Sequence, residues 1–172
     1  MLSVVIETRN DEEGLARTLA SLVGAAVEGV VRDVTVCDGG STDQTKRVAE
    51  HAGCHFIAGG DLSKVISAAR GEWLMLLEPG ARPVDGWTES VVDHVASRQG
   101  PACLTESGQG RFPFLSRLFG ARRALSTALI LRKEDAIALL SGADSSEALA
   151  RRARATKLSG QIRPAVRTQP GR

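Results

Sequence analysis

The chain of 172 residues contains no tyrosine, and aromatic residues make up only 3% of it. Proteins that bind nucleic-acid strands commonly stack the bases on aromatic side chains, so we expect no nucleic-acid partner. Cysteine is scarce as well, with three widely spaced residues and no Cys-x-x-Cys pair. This number and spacing favour a reducing compartment and exclude a fold that depends on disulfides.

Long apolar runs are also missing. No uncharged stretch approaches the roughly 20 residues that a membrane-spanning helix needs. The N-terminal stretch has no basic region and reaches an acid at Glu7, unlike a secretory signal peptide. We therefore expect a cytoplasmic location, at most peripheral to the inner face of the membrane.

Charge is divided unevenly along the chain. Residues 1–110 contain 9 basic and 16 acidic side chains, whereas residues 111–172 contain 13 basic and 4 acidic ones. This asymmetry indicates either an anionic partner near the basic part or a solvated basic tail. Residues 111–123 combine Phe and Arg without acids, which fits either a helix on anionic lipid or a segment packed inside the fold. Pro113 and Gly120 limit any helix there and favour the second interpretation.

Short apolar runs alternate with helical patterns through the first half of the chain. We expect Asn10 to cap the first helix, and Ser41 with Gln44 to form a capping box for the second. The alternating order predicts an α/β fold with a mostly parallel sheet flanked by helices, Rossmann-like in outline. The predicted strands cover 2–8, 34–37, 55–58 and 73–77, and the helices between them cover 11–23, 43–53 and 63–69.

The pattern is weaker in the second half, where a strand and two helices are predicted, residues 145–158 are helix-prone and the last dozen residues look frayed. Because ligands of parallel sheets bind at the carboxyl ends of the strands, we expect three loops of the first half to meet at one cleft. These loops cover 8–12, 38–43 and 78–83. The later elements are helices over 87–96 and 134–140 and a strand over 126–131.

The loop after the second predicted strand reads Asp-Gly-Gly-Ser-Thr-Asp over residues 38–43. Its two glycines let the backbone approach a ligand closely, and the helix start behind it offers free N–H groups. The carboxylate of Asp38 could accept a hydrogen bond from a nucleobase imide or a ribose hydroxyl. The same residues also fit an ordinary turn and helix cap, so the loop alone does not decide between the two interpretations.

Three segments together resemble family-2 glycosyltransferases of the GT-A fold. They read LSVVIETRN from residue 2, VTVCDGGSTDQT from residue 34 and GEWLMLLEPG from residue 71. The family shows VSVVIPTxNEE, then VVDDGSTDGT or VVDGGSTDGT, then LxFLDAD, in the same order and at matching separations. The resemblance implies transfer of a sugar from a nucleoside-diphosphate donor to an acceptor hydroxyl. A lipid-linked or polysaccharide acceptor at the membrane surface is a candidate partner.

The resemblance also implies roles for individual residues. The metal motif of the family, Asp-x-Asp, falls on Glu78-Pro79-Gly80. Glu78 is therefore the one carboxylate of this motif that could bind Mn²⁺ or Mg²⁺, and Asp85, further along the sequence, is a weaker substitute for the missing second carboxylate. The positions that match nucleotide-binding residues are Thr8, Asn10, Glu12, Asp38, Gly39 and Asp43, with Lys64 close to the donor.

The catalytic base of the family is an Asp in a Glu-Asp pair that precedes an Arg-containing helix. Here this segment reads GADSSEALARRAR, and alignment through the Arg pair puts Ser145 and Ser146 at the Glu-Asp positions. Asp144 and Glu147 are the carboxylates close enough in sequence to serve as the general base. The Pro that follows the first strand of the family is replaced here by Glu7.

These assignments divide the chain into a GT-A-like domain over 1–142 and a basic helical tail with a frayed end over 143–172. Within the domain, residues 1–99 would bind the nucleotide sugar and residues 100–142 the acceptor. Because the metal and base motifs are both degenerate, the alternative is a catalytically weak or inactive nucleotide-binding or regulatory protein. An unrelated nucleotide-binding α/β module, such as a nucleotidyltransferase, is a third class that the ordered motifs disfavour.

Overall fold

A computed structural model of the chain describes residues 1–97, 99–107, 124–141 and 144–166. Within these ranges, eight strands form one sheet: β1 (Leu2–Thr8), β2 (Val31–Asp38), β3 (His55–Ala58), β4 (Trp73–Leu77), β5 (Arg82–Pro83), β6 (Ala102–Glu106), β7 (Leu129–Arg132) and β8 (Thr156–Arg163). Their order across the sheet is β3-β2-β1-β4-β7-β6-β8-β5. The Phe- and Arg-rich segment 111–123 lies outside the described residues.

Helices connect most of the strands. They are α1 (Glu12–Val27), α2 (Thr45–His51), α3 (Leu62–Ala68), α4 (Trp87–Ala96), α5 (Lys133–Leu140) and α6 (Ser146–Arg152), and a short 3₁₀ turn covers Ala124–Thr127. In the part of the chain that the structure covers, no helix is long and apolar enough to cross a lipid bilayer.

The expected α/β architecture is confirmed. Strands β1, β2, β3 and β4 are parallel neighbours, and β7 joins β4 in the antiparallel direction. In the register of the β1–β2 pair, Thr8 at the end of β1 lies beside Asp38 at the end of β2. The loops that follow these two strands therefore start next to each other, as the parallel arrangement predicts.

The two faces of the sheet are both covered, because alternate side chains of a strand point to opposite sides. On one face, Val4 and Ile6 of β1 belong to a buried cluster with Leu15 of α1. On the other face, Val5 packs in a second cluster with Val65 of α3 and Leu149 of α6. This double burial explains why the strands read as continuous apolar runs.

Two predicted helix caps are wrong. Asp11, and not Asn10, caps α1, since its side chain accepts a hydrogen bond from the N–H of Gly14. No capping box is formed by Ser41 and Gln44, because α2 begins at Thr45 and Gln44 makes no side-chain cap. In both cases the predicted residues are instead used to join the two loops, a long-range role that local capping rules do not include.

The C-terminal part departs further from expectation. The helix expected over 145–158 ends at Arg152, and residues Thr156–Arg163 form β8, which pairs parallel with β6 and antiparallel with β5. The stretch 156–163 is thus part of the sheet and is not helical. A Cβ on Gly160 would lie 3.1 Å from the side chain of Leu104, so the glycine permits the strand to approach its neighbours closely.

Candidate functional site

The loops after β1 and β2 are joined by hydrogen bonds. Asn10 donates its N–H to Ser41 Oγ at 2.8 Å, and its side-chain Oδ1 accepts from the N–H of Thr42 at 2.8 Å. The N–H of Gly39 donates to the carbonyl oxygen of Thr8 at 2.9 Å. The sequence-predicted neighbours Thr8, Asn10 and Gly39 are therefore brought together at the carboxyl edge of the sheet.

Glu12 and Asp43 tie the same loops together one turn further on. The N–H of Glu12 donates to Asp43 Oδ2 at 3.2 Å, and Glu12 Oε2 accepts from the N–H of Gln44 at 2.6 Å. Burial raises the pKa of Asp43, but hydrogen bonds from Thr45 and from the Glu12 N–H outweigh this and hold the pKa below its usual value. Both carboxylates thus fix the shape of the loops.

Asp38 organises the glycine-rich turn from inside. Its side chain is only 4% exposed. Oδ2 accepts hydrogen bonds from the N–H groups of Gly40 at 3.1 Å and Ser41 at 2.9 Å, and Oδ1 accepts from the Ser41 hydroxyl. A nucleobase or ribose donor that binds Asp38 must compete with these contacts.

The loop after β4 is fixed against α1. The buried hydroxyl of Thr18 accepts a hydrogen bond from the N–H of Gly80 at 2.8 Å and donates to the carbonyl oxygen of Ala81 at 2.8 Å. Gly80 has a φ of 89°, a conformation that favours glycine. This contact holds Glu78 beside the first loop, so all three loops meet at one edge of the sheet.

A cavity of about 440 Å³ opens between these loops and α6. Its volume is within the usual range for small-molecule sites. Four carboxylates and one guanidinium belong to its walls, which gives it a mainly acidic lining. The lining residues are Glu7, Thr8, Arg9, Asp11, Cys37, Gly39, Gly60, Glu78, Pro79, Leu125 and Glu147.

The described residues offer few side chains that could bind a metal ion. Across the ranges that the structure covers, no group of three or more His, Cys, Asp and Glu side chains is arranged to hold a metal ion. Glu78 is half-buried and lines the cavity, so it can supply one hard oxygen. Mn²⁺ or Mg²⁺ would need further oxygens from a bound diphosphate and water. The donor set therefore fits a metal only together with a nucleotide.

The structure places the two candidate bases differently. Glu147 lines the cavity, but its oxygens accept hydrogen bonds from the N–H groups of Ala124 at 2.9 Å and Leu125 at 3.0 Å, and from Arg151 Nε at 3.1 Å. Burial raises the pKa of Glu147, and these donors together lower it below its usual value. Asp144 is exposed and does not line the cavity.

Lys64, expected near the donor, points elsewhere. Its side chain is 78% exposed and pairs with Asp61 at 3.0 Å. It is not among the residues that line the cavity.

Sequence reasoning missed three charged residues at the cavity, Glu7, Arg9 and Asp11. Glu7 interrupts an apolar strand at the place where the resembling family has Pro, and that departure was the available signal. Its Oε2 accepts a hydrogen bond from the N–H of Ser146, which links the end of β1 to α6. Arg9 had no signal, because its position is variable in the motif of the family.

Comparison with known proteins identifies the class. The sequence profile described as glycosyl transferase family 2 matches residues 3–105, more than half of the chain. The chain therefore belongs to glycosyl transferase family 2. It is also 32% identical over 133 residues to a TPR repeat-containing protein of Synechococcus elongatus. This match covers 70% of the chain but 32% of the relative, so the chain spans about a third of that protein's length.

Solved structures share the fold at low sequence identity. Glucosyl-3-phosphoglycerate synthase from Mycobacterium tuberculosis, in complex with Mn²⁺, uridine diphosphate and glucosyl-3-phosphoglycerate, matches with a TM-score of 0.66 and 19% identity, over 99% of this chain and 73% of that one. TarS from S. aureus matches with 0.61 and 19%, over 86% and 52%. Mannosyl-3-phosphoglycerate synthase from Rubrobacter xylanophilus matches with 0.58 and 16%, over 79% and 55%. These likenesses establish a GT-A glycosyltransferase fold.

Proposed function

We propose that the chain binds a nucleoside-diphosphate sugar at the joined loops and transfers the sugar to an acceptor hydroxyl. The observation that carries the proposal is the juxtaposition of the three loops around one carboxylate-lined cavity in a family-2 chain. The buried hydroxyl of Thr8 supports it further. Thr8 lines the cavity, and its hydroxyl has no hydrogen-bond partner among the described residues, so a ligand that reaches this group could satisfy it.

The donor would lie across the carboxyl ends of β1 and β2. Asp38 would meet the nucleobase or ribose once its own turn rearranges, and the Asn10–Thr42 contact joins this turn to the first loop. Arg9 lines the cavity and can neutralise part of the diphosphate charge. Glu78 would hold the metal ion that accompanies the diphosphate, and the ion would stabilise the leaving group.

The reaction needs a carboxylate that accepts the acceptor proton. The acceptor oxygen attacks the anomeric carbon, the bond from that carbon to the diphosphate oxygen breaks, and the nucleoside diphosphate leaves with the electron pair. The proton of the acceptor hydroxyl passes to a cavity carboxylate at hydrogen-bond range. Several carboxylates line the cavity, so the site has the groups for this step.

The first substrates to test follow from the solved structures. The mycobacterial synthase was solved with uridine-diphosphate-glucose and phosphoglyceric acid, so UDP-glucose is the first donor and 3-phosphoglycerate the first acceptor. A lipid-linked or polysaccharide acceptor at the inner face of the membrane is the second acceptor to test. The basic balance of residues 111–172 would draw an anionic acceptor towards the chain.

A second function has its own support. Serines stand where the family has its Glu-Asp pair, and Glu78 stands alone where the family has two metal carboxylates. Both changes fit a nucleotide-binding or regulatory protein that turns over slowly or not at all. The two functions share donor binding and differ in turnover.

Calorimetry with UDP, GDP and TDP, each with and without Mn²⁺, tests the shared step. We expect one of the three to bind with a dissociation constant in the micromolar range. Release of UDP from UDP-glucose, with 3-phosphoglycerate or with water as acceptor, then separates the two functions. Binding with turnover supports the transferase, binding without turnover supports the regulatory protein, and the absence of binding by all three nucleotides contradicts both.

A further inference from the structure

We propose that Glu7, at the end of β1, is the catalytic base of this site. The inference rests on the proposed transferase function and names the residue that receives the acceptor proton. Glu7 is half-buried, lines the cavity and follows Ile6 on β1, an interior strand of the sheet. A side chain on an interior strand is held more rigidly than one on a loop, as a catalytic group requires.

The other carboxylates of the cavity are committed to different tasks. Asp11 caps α1 through the N–H of Gly14 at 2.9 Å. Glu147 receives two backbone N–H groups and the Nε of Arg151, and these donors favour its charged form. Proton transfer to Glu147 would weaken these contacts, because a neutral carboxyl group accepts hydrogen bonds less strongly than a carboxylate. Glu78 lies on the loop after β4, where a diphosphate-bound metal would need it.

Glu7 differs from these carboxylates because only one of its two oxygens accepts a hydrogen bond from the described residues. Oε2 accepts from the N–H of Ser146, whereas Oε1 has no hydrogen-bond donor among the residues that the structure describes. The contact to Ser146 orients the carboxylate and leaves one oxygen to take a proton. This is the arrangement that a general base needs, with one anchored atom and one reactive atom.

Ser146, which donates the hydrogen bond to Glu7, is a position at which this chain departs from the family. Ser146 is fully buried, and its hydroxyl has no hydrogen-bond partner in the described part of the chain. Ser146 also stands at the position where the resembling family carries the Asp of its Glu-Asp pair. The carboxylate of Glu7 contacts the backbone N–H of this residue and not its hydroxyl. The chain thus has a carboxylate beside the segment in which the family carries its base, although the position of that base is a serine.

The step balances without any further reactant. The acceptor O–H gives its proton to Glu7 Oε1 while the acceptor oxygen forms its bond to the anomeric carbon. The bond from that carbon to the diphosphate oxygen breaks, and the electron pair leaves with the nucleoside diphosphate. Solvent later removes the proton from Glu7.

The test compares Glu7→Gln with the wild-type chain. A glutamine keeps the size of the side chain and an oxygen that accepts from the Ser146 N–H, so the fold and the donor site remain, but the amide cannot act as a base. We expect UDP release from UDP-glucose to fall roughly 10²–10⁴-fold, with the dissociation constant for UDP changed less than about twofold. Glu89→Gln, an exposed carboxylate on α4, is the matched control and should keep wild-type turnover.

A second variant keeps the proposal testable if Glu7→Gln reduces turnover for structural reasons. Glu7→Asp keeps a carboxylate at this position, so it should turn over at least about tenfold faster than Glu7→Gln. Wild-type turnover in Glu7→Gln, or a Glu7→Asp chain no faster than Glu7→Gln, would overturn the base assignment while the transferase function stands. A wild-type chain that binds UDP but turns over no donor also overturns it. A chain that binds no nucleotide contradicts the proposed function itself, and the base assignment falls with it.

Discussion

Asn10 holds Thr42 across the site: the Oδ1 of Asn10 accepts the backbone N–H of Thr42 at 2.8 Å. The backbone of Asn10 has a φ of 50°, in the left-handed region that asparagine tolerates better than most residues. The residue therefore serves the site in two ways, through its backbone conformation and through its side-chain acceptor. Variants that remove one or both of these contributions separate them.

Substitution of Asn10 by Ala removes both contributions. The lost hydrogen bond costs about 0.5–1.5 kcal/mol, and the left-handed backbone costs Ala up to about 1–2 kcal/mol, more than it costs asparagine, whose side chain can form local hydrogen bonds there. Asn10→Gly loses the acceptor but not the backbone freedom, so its free energy of unfolding should lie between those of wild type and Asn10→Ala. Urea denaturation measures all three. Equal stability of the Gly and Ala variants would show that the left-handed backbone contributes nothing.

Asp38→Ala should abolish measurable UDP binding. It also leaves the N–H groups of Gly40 and Ser41 without their acceptor, which costs about 1–3 kcal/mol for each group that stays buried. Asp38→Asn keeps one acceptor oxygen and should retain more of the stability but little of the affinity. Calorimetry with UDP and thermal melts measure the two effects. Wild-type affinity in the Ala variant would remove Asp38 from the donor site.

Much of the fold was predictable because local signals and the topology agree. Short-range sequence patterns predict three of its parts. These are the buried apolar runs at β1 and β4 and the glycine-rich turn at 38–43. Parallel pairing then places Thr8 beside Asp38, so the meeting of the loops could be expected before the structure was known. The roles of the individual residues in binding stay predictions.

The rest depended on contacts that are distant in sequence. Asn10 looks like a helix cap by local rules, but its partner is Thr42, 32 residues away. The strand β8 carries an alternation of Leu158, Gly160 and Ile162, which the helix-prone Ala and Arg residues before it obscure. The contact of Glu7 with Ser146 spans 139 residues, and only the folded chain reveals it.

Stability at high pH should report on Cys37. Burial raises the pKa of the Cys37 thiol to about 11, with further contributions from the carboxylates of Glu7, Asp61 and Asp38. The unfolded thiol ionises near its ordinary value of 9.0 while the folded thiol keeps its proton. The unfolded state is therefore favoured increasingly as the pH rises from 9 to about 11. Urea denaturation from pH 8 to 11 should show a smaller decline for Cys37→Ala, and parallel curves would contradict this account.

Stability at low pH should report on Glu147. Burial raises the pKa of Glu147, but the N–H groups of Ala124 and Leu125 together with Arg151 outweigh burial and hold the pKa below its ordinary value of 4.5. The stabilisation is therefore present above pH 4.5 and is lost as the pH falls through the folded pKa. At pH 7 we expect Glu147→Gln to cost about 1.5–3 kcal/mol, the value of hydrogen bonds to a charged group.

The matched control for Glu147 is Glu134→Gln. The Glu134 carboxylate is 72% exposed and pairs only at the surface with Arg132, a kind of ion pair that contributes about 0–1 kcal/mol. Acid denaturation of both variants measures the difference. If the two variants lose the same stability at pH 7, the contact of Glu147 with the 3₁₀ turn at 124–127 does not stabilise the fold.

Metal and nucleotide binding should depend on each other through Glu78. A single carboxylate binds Mn²⁺ weakly, and the oxygens of a bound diphosphate complete the coordination shell. We expect UDP to tighten Mn²⁺ binding by roughly 5–150-fold, and Mn²⁺ to tighten UDP binding by the same factor, because coupling between two ligands is reciprocal.

Glu78→Gln should abolish this coupling. Asp85→Asn, an exposed carboxylate seven residues further along, should retain it. Calorimetric titration of each ligand in the presence and absence of the other measures the four dissociation constants of each chain, and their ratios give the two coupling factors. Tight Mn²⁺ binding by the wild-type chain without UDP would show that further protein ligands complete the site.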